Sequence, residues 1–97
     1  MSVISYGYIR EFTDRHPDSN VALREWYYKI KRSKPKSPSD LRIIFTGVDY
    51  VGNKRFVFNI KGNKYRIVAL ILFGPQKTFI RYIGTHADYN KINCKKI

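Results

Sequence analysis

The stretch from Arg55 to Tyr89 constrains the fold of this chain more than any other part. Two runs rich in β-branched and aromatic residues, RFVFNI and YRIVALILF, flank the four residues KGNK. Gly62, as the first residue of a two-residue loop, favours a type II′ hairpin between the runs. A second turn at Gly74 and Pro75 leads into a third run, TFIRYIGT. The pattern predicts a three-stranded antiparallel meander.

The first hairpin determines which side chains share a face of the sheet. If Lys61 pairs with Lys64, Asn59 lies opposite Arg66, and successive side chains alternate between the two faces. One face is apolar and should pack on helices: Phe56, Phe58, Ile60, Tyr65, Ile67, Ala69 and Ile71. The other face is polar and mostly basic, with apolar residues further along: Arg55, Asn59, Lys61, Lys64 and Arg66, then Val68, Leu70 and Leu72.

The register of the second hairpin determines where Arg81 lies. The favoured register places Arg66 opposite Thr85 and puts Arg81 on the same polar face. A shift by one residue would bury the Arg81 guanidinium, which is costly without a partner. Alternation in the favoured register places Tyr82 on the core face.

Helical patterns flank the strands. Apolar residues at helical spacing predict a first helix over residues 5–15, with Ser5 as its cap, and a second over 19–32. Ser37 begins a third, short helix, because a proline and an acid follow it in the first turn. Thr85 is expected to cap a short C-terminal helix.

The predicted fold class is therefore α/β, of the α+β type, in one domain spanning residues 1–97. A small antiparallel sheet of about three strands should carry two N-terminal helices and the short third helix on one face. Residues 49–54 are expected to connect the third helix to the sheet through a turn at Gly52 and Asn53.

Charge limits the partners of the chain. It has 19 Lys and Arg against 7 Asp and Glu, and the net charge of +12 divides into +3 for residues 1–50 and +9 for residues 51–97. Such an excess favours nucleic acid, an acidic protein or an anionic membrane as partner. No apolar run approaches the roughly 20 residues that span a bilayer, and no signal-peptide pattern is present, so a cytoplasmic protein is expected. One cysteine and two scattered histidines predict no metal site.

The basic face admits two interpretations. A solvated sheet surface is the ordinary one, but the near absence of acids in the second half favours phosphate binding, for which the planar guanidinium of arginine is suited. His86 could be a structural residue at the end of a strand or an acid–base group. Tyr89 could stack on a base or exchange a proton.

Two segments carry a family resemblance: RFVFNIKGNKYR at Arg55–Arg66 and FIRYIGTHADYNKI at Phe79–Ile92. They resemble the HigB toxin family of the RelE-like superfamily, and weaker similarity extends over nearly the whole chain. The resemblance implies the toxin of a type II toxin–antitoxin system, with a RelE-like fold. Such a toxin is a ribosome-dependent mRNA endonuclease, or mRNA interferase. Its implied partners are mRNA on the ribosome and a HigA-like helix-turn-helix antitoxin. The resemblance implies that operator DNA is bound only through the complex with that antitoxin. It implies no membrane partner.

The resemblance also implies a reaction without metal or cofactor, in which a 2′-hydroxyl attacks the adjacent phosphate. Arg66 and Arg81 would stabilise the phosphate charge, and His86 or Tyr89 would be the acid–base group. The implied RNA-binding residues are Asn59, Lys61, Lys64 and Lys91. A non-catalytic basic module that binds RNA, the ribosome or DNA is the alternative, and a decayed toxin that still binds its antitoxin is a third possibility.

Overall fold

A mixed sheet covered by helices on one face forms the body of the protein, in a computed structural model that describes residues 1–94 and 96–97. Among these residues the strands are β1 Ser2–Ile4, β2 Asp49–Gly52, β3 Arg55–Ile60, β4 Tyr65–Leu72 and β5 Lys77–Thr85, in the spatial order β1-β5-β4-β3-β2. The helices are α1 Gly7–Arg15, α2 Asn20–Arg32, α3 Pro38–Ile44 and α4 His86–Tyr89, and a 3-10 turn, Pro17–Ser19, joins α1 to α2. The predicted fold class is confirmed, with five strands instead of about three.

The two additional strands lie at the edges of the sheet. β1 pairs with β5 in parallel, and β2 pairs with β3 in antiparallel orientation. Both are short, and β1 has its partner more than 70 residues away, so neither produces a clear local pattern. The expected turn after β2 is present, since Gly52 and Asn53 have φ angles of 97° and 51°. Residues 49–52, expected to be a connection, thus form a strand before that turn.

The core lies between the sheet and the helical layer, as the alternation predicted. Every residue assigned to the apolar strand face is buried, together with the helix residues Ile9, Phe12, Leu23, Trp26, Ile30 and Leu41. The ring of Trp26 packs edge-on against Phe58 at 5.3 Å between centroids. Ser37 begins α3 as predicted, because its Oγ accepts a 3.2 Å hydrogen bond from the main-chain N–H of Asp40.

The start of α1 differs from the prediction. Ser5 does not cap the helix: it has a left-handed φ of 76° and turns the chain out of β1. The helix begins at Gly7, and its N-cap residue, Tyr6, makes no side-chain hydrogen bond to it. The edge strand occupies the residues before Ser5, so the chain must change direction there before a helix can form.

The first hairpin has the predicted register, whereas the second does not. Asn59 lies opposite Arg66, and Gly62 has the positive φ, 66°, that its turn position requires. Arg66 itself lies opposite Gly84, and Thr85 pairs with Tyr65 instead.

Two features give this register. Near the second turn Thr78 pairs with Ile71, two residues away from the Phe73 partner that the favoured register implies, and a β-bulge then changes the pairing by one residue. Val68 pairs with Tyr82, but the next residue on β4, Ala69, pairs with Ile80, so Arg81 is the extra residue on β5. The strand is displaced by one residue without burying the guanidinium, because the bulge leaves the Arg81 side chain exposed. It also changes the alternation, and Tyr82 therefore lies on the face opposite the core, contrary to the prediction.

Candidate nucleic-acid interface

Arg66 is at the centre of the sheet face that points away from the helices. Its guanidinium carbon lies 4.7 Å from the centroid of the Tyr89 ring, within the range of a cation–π contact. Within the described residues, the buried Nε of Arg66 has no hydrogen-bond partner. A buried N–H without an acceptor costs about 1–3 kcal/mol. An anionic oxygen that reached this nitrogen would remove that cost.

Tyr89 is placed on Arg66 by α4, which starts where β5 ends. Thr85 caps this helix as predicted, since its Oγ1 accepts a 3.1 Å hydrogen bond from the main-chain N–H of Asp88. The Tyr89 hydroxyl points to Sγ of Cys94 at 3.8 Å. Burial raises the pKa of the Tyr89 phenol, the Cys94 thiol adds to this, and Arg66 opposes it. The phenol therefore keeps its proton at neutral pH and can act as an acid.

The C-terminal segment, residues 90–94 and 96–97, crosses the same face. Two nitrogens of the Arg55 guanidinium, Nε and Nη2, donate to the main-chain oxygen of Ile97 at 3.1 and 2.8 Å. Val57 and Val68, which pair on this face, are only 2% and 0% exposed although the helical layer is on the other side. We attribute their burial to this segment and α4.

His86 is the first residue of α4, and its side chain is exposed. Its main-chain N–H donates to the carbonyl of Lys64 at 3.1 Å, which ties the start of the helix to the first hairpin. His86 and Tyr89 are three residues apart and thus lie on the same side of the helix. Of the two acid–base candidates, Tyr89 is the one that contacts Arg66.

The side chains of Lys61 and Lys64 are exposed, but Asp18 binds the ammonium groups of both. Its Oδ2 accepts from Nζ of Lys64 at 2.6 Å and from Nζ of Lys61 at 3.2 Å, and its Oδ1 accepts from the hydroxyl of Tyr65 at 2.6 Å. These contacts, that of Lys64 first, hold the pKa of the Asp18 carboxyl well below its usual range. In return, Asp18 raises the pKa values of Lys64 and Tyr65.

The remaining predicted residues, Arg81, Asn59 and Lys91, are also exposed. Arg81 projects from the bulge of β5, and Asn59 from β3 opposite Arg66. Lys91 follows α4 and is also exposed. The structure therefore gathers Asn59, Arg66 and Tyr89 on one surface.

Sequence reasoning missed Asp18 and Tyr82 as residues of this region, and it missed the contact that Arg55 makes. The alternation assigned Arg55 to the polar face, but nothing local indicated its contact with residue 97, and the contacts of Asp18 span more than 40 residues.

Tyr82 was missed because the bulge is not apparent in the sequence. A Cβ atom on Gly84 would overlap Oη and Cζ of Tyr82, so the ring lies directly over this glycine, beside Arg66. Burial, followed by the charge of Asp88, raises the pKa of the Tyr82 phenol.

Among the residues that the structure describes, no group of three or more His, Cys, Asp or Glu side chains is arranged to hold a metal ion. In the same part of the chain, no helix has both the length and the apolar character needed to cross a membrane.

The five-stranded mixed sheet with its helical layer is consistent with the fold of a RelE-like toxin. Residues 19–92 match the family model of the HigB toxin, described as the RelE-like toxic component of a toxin–antitoxin system. The chain belongs to the HigB toxin family, which confirms the resemblance seen in its two longest motifs.

The names of similar proteins agree with this family assignment. The chain is 31% identical over 94 residues to the mRNA interferase HigB of Escherichia coli O6:H1 strain CFT073, an alignment that covers 95% of this chain and 91% of that protein. It is 30% identical over 93 residues to the mRNA interferase toxin HigB of Escherichia coli K12, covering 93% and 88%. The mRNA interferase HigB of Shigella flexneri gives the same figures.

Proposed function

We propose that this toxin is an mRNA interferase, a metal-independent endoribonuclease that cuts mRNA on the ribosome. The observation that carries the proposal is the contact between Arg66 and Tyr89. It joins a phosphate-binding cation to a protonated phenol on the basic face of the sheet. The names of the relatives, mRNA interferase HigB, support the same activity.

In the proposed reaction, the 2′-hydroxyl of one nucleotide attacks the adjacent phosphorus. The new 2′-O–P bond forms as the P–O5′ bond breaks, which leaves a 2′,3′-cyclic phosphate and a free 5′-hydroxyl. Arg66 binds the non-bridging oxygens and stabilises the charge that develops on them.

The remaining residues have complementary roles in this proposal. Tyr89 donates the proton to the leaving 5′-oxygen, because it is the acid–base candidate that touches Arg66. Arg81 reaches the phosphate from the bulge, and Asn59 and Lys91 contact the RNA on either side. His86 is the base that accepts the proton of the attacking 2′-hydroxyl, and it is also the alternative acid to Tyr89.

The partners in this proposal follow from charge and family. Ribosome-bound mRNA and the surrounding rRNA supply phosphates for a chain of net charge +12. A HigA-like helix-turn-helix antitoxin neutralises the toxin, and operator DNA is bound only through that complex. The toxin acts in the cytoplasm, where the ribosomes are.

The test is induced expression in bacteria with mapping of mRNA 5′ ends. Wild-type toxin should arrest growth and generate new 5′ ends. Arg66→Gln and Arg81→Gln should each reduce cleavage about 100-fold or more, since each removes a donor to the transition state. Arg24→Gln is the matched control, because Arg24 is exposed on α2 in the helical layer.

Two other outcomes would contradict the proposal. A non-catalytic RNA- or DNA-binding module would leave transcripts intact while its affinity for RNA still fell steeply with salt. A decayed toxin would bind its antitoxin and cleave nothing.

A further inference from the structure

Asp18 connects the helical layer to the candidate site through the first hairpin. It lies in the 3-10 turn between α1 and α2, and its carboxylate accepts hydrogen bonds from Lys61, Lys64 and Tyr65. Nζ of Lys61 also donates to the main-chain oxygen of Asp18 at 3.1 Å. Three hydrogen bonds from the turn between β3 and β4, and a fourth from Tyr65 at the start of β4, therefore attach the hairpin to the helical layer.

The hairpin in turn supports the start of α4. The Lys64 carbonyl accepts the 3.1 Å hydrogen bond from the main-chain N–H of His86. Tyr65 pairs with Thr85, which caps the same helix. A displacement of the Lys61–Lys64 turn would therefore move the residues that orient α4, and with it the ring of Tyr89 over Arg66.

The carboxylate of Asp18 also forms ion pairs with two cations of the basic surface. Lys61 and Lys64 are the basic residues of the hairpin tip, yet both ammonium groups face Asp18. Asp18 is itself partly exposed, with 37% of its side chain accessible. RNA that approaches the hairpin therefore meets a carboxylate next to the two lysines.

We propose that Asp18 is a positioning residue for RNA cleavage. It fixes the position of α4 through the Lys61–Lys64 turn, and by pairing with the two lysines it lowers the affinity for RNA. This inference rests on the proposed function. Asp18 does not touch the RNA in this arrangement. It gives the turn one conformation and prevents the two lysines from following the phosphates of the RNA. Asp18 therefore raises the cleavage rate and lowers the affinity for RNA.

Asp18→Asn separates these effects. Affinity for a labelled single-stranded RNA carrying 2′-O-methyl groups should rise about three- to tenfold at 100 mM salt, because two surface ion pairs are broken and their lysines released. The slope of log K against log salt should steepen by up to about 1.4. The single-turnover cleavage rate on mRNA-programmed ribosomes, at saturating toxin, should fall about 10- to 100-fold, since small misplacements of a catalytic group are costly.

A further readout is independent of activity. The His86 amide should exchange its hydrogen faster in Asp18→Asn, because its acceptor lies in the released turn. Lys64→Gln breaks the same contact from the other side. It should speed the exchange of the His86 amide and lower the cleavage rate, without a gain in RNA affinity. Asp14→Asn, with the same change in charge on an exposed position of α1, should leave all three quantities near wild type.

The proposal is overturned if Asp18→Asn weakens RNA binding and cleavage together, as a merely structural residue would. It is also overturned if RNA binding tightens while the cleavage rate and the hydrogen-exchange rate of the His86 amide are unchanged. Failure of the proposed function would look different. Wild-type toxin would then leave mRNA intact, while Asp18→Asn would still tighten RNA binding and speed the hydrogen exchange of the His86 amide.

Discussion

At the scale of single residues, Tyr89 and His86 are the two candidates for the proton transfer. Tyr89→Phe keeps the ring on Arg66 and removes only the hydroxyl. We expect it to lower the single-turnover cleavage rate on mRNA-programmed ribosomes about 100- to 10,000-fold, the range for loss of a general acid, with RNA affinity unchanged. Because the pKa of Tyr89 is raised, the wild-type rate should not decline through loss of this proton below about pH 10.

His86→Gln is the matched comparison for Tyr89→Phe. It removes the imidazole but retains the main-chain N–H that bonds to Lys64. We expect its rate to fall less than that of Tyr89→Phe. A larger loss in His86→Gln, with near-normal cleavage by Tyr89→Phe, would assign the acid to the histidine.

At the scale of elements, the C-terminal segment is attached to the sheet by Arg55. Arg55→Gln removes the charged hydrogen bonds to Ile97, which we expect to favour opening of the segment by about 1.5 kcal/mol, or roughly tenfold. Cys94, the one cysteine in the sequence and half-buried in this segment, reports the opening. Its rate of alkylation by iodoacetamide should rise about tenfold in Arg55→Gln.

Lys54→Gln is the control for this element, because it removes a neighbouring positive charge without touching Ile97. Its Cys94 should react at the wild-type rate. Equal alkylation rates in Arg55→Gln and wild type would show that Arg55 does not keep the segment on the sheet.

At the scale of the whole molecule, the Asp18 network predicts the pH range of greatest stability. The pKa of Asp18 is lower in the folded state, so its contribution is present above about pH 4 and is lost as the pH falls. The pKa values of Lys64 and Tyr65 are raised, so their contributions are present below about pH 10 and are lost as the pH rises through the folded values. Stability against urea should therefore form a plateau between these limits.

Asp18→Asn removes the charge on which both shifts depend. Its free energy of unfolding should be lower than that of wild type on the plateau, and the difference should shrink at pH 3 and at pH 11. Urea unfolding at five pH values measures it. Parallel profiles for the two proteins would show that the network adds nothing to the pH dependence.

The sequence by itself determined the two-faced sheet and its helical cover. Burial of an apolar face favours a particular register. Alternation therefore correctly assigned the apolar strand face, which begins at Phe56 and ends at Ile71, to the core, and it placed Asn59 opposite Arg66. Local capping chemistry was equally informative at Ser37 and Thr85, because the cap and its partner are three residues apart. The motifs around Arg66 and His86 also indicated the family.

Only the tertiary structure decided the details of the polar face, because they depend on contacts between distant residues. The bulge at Arg81 moved Tyr82 onto this face, and no local pattern distinguishes it from a regular strand. Likewise, Asp18 meets Lys64 across 46 residues, and Arg55 meets Ile97 across 42. The sequence of the Arg55–Tyr89 stretch predicted which cations bind RNA. The packing of the chain decided that Arg66 meets Tyr89, while Lys61 and Lys64 meet Asp18.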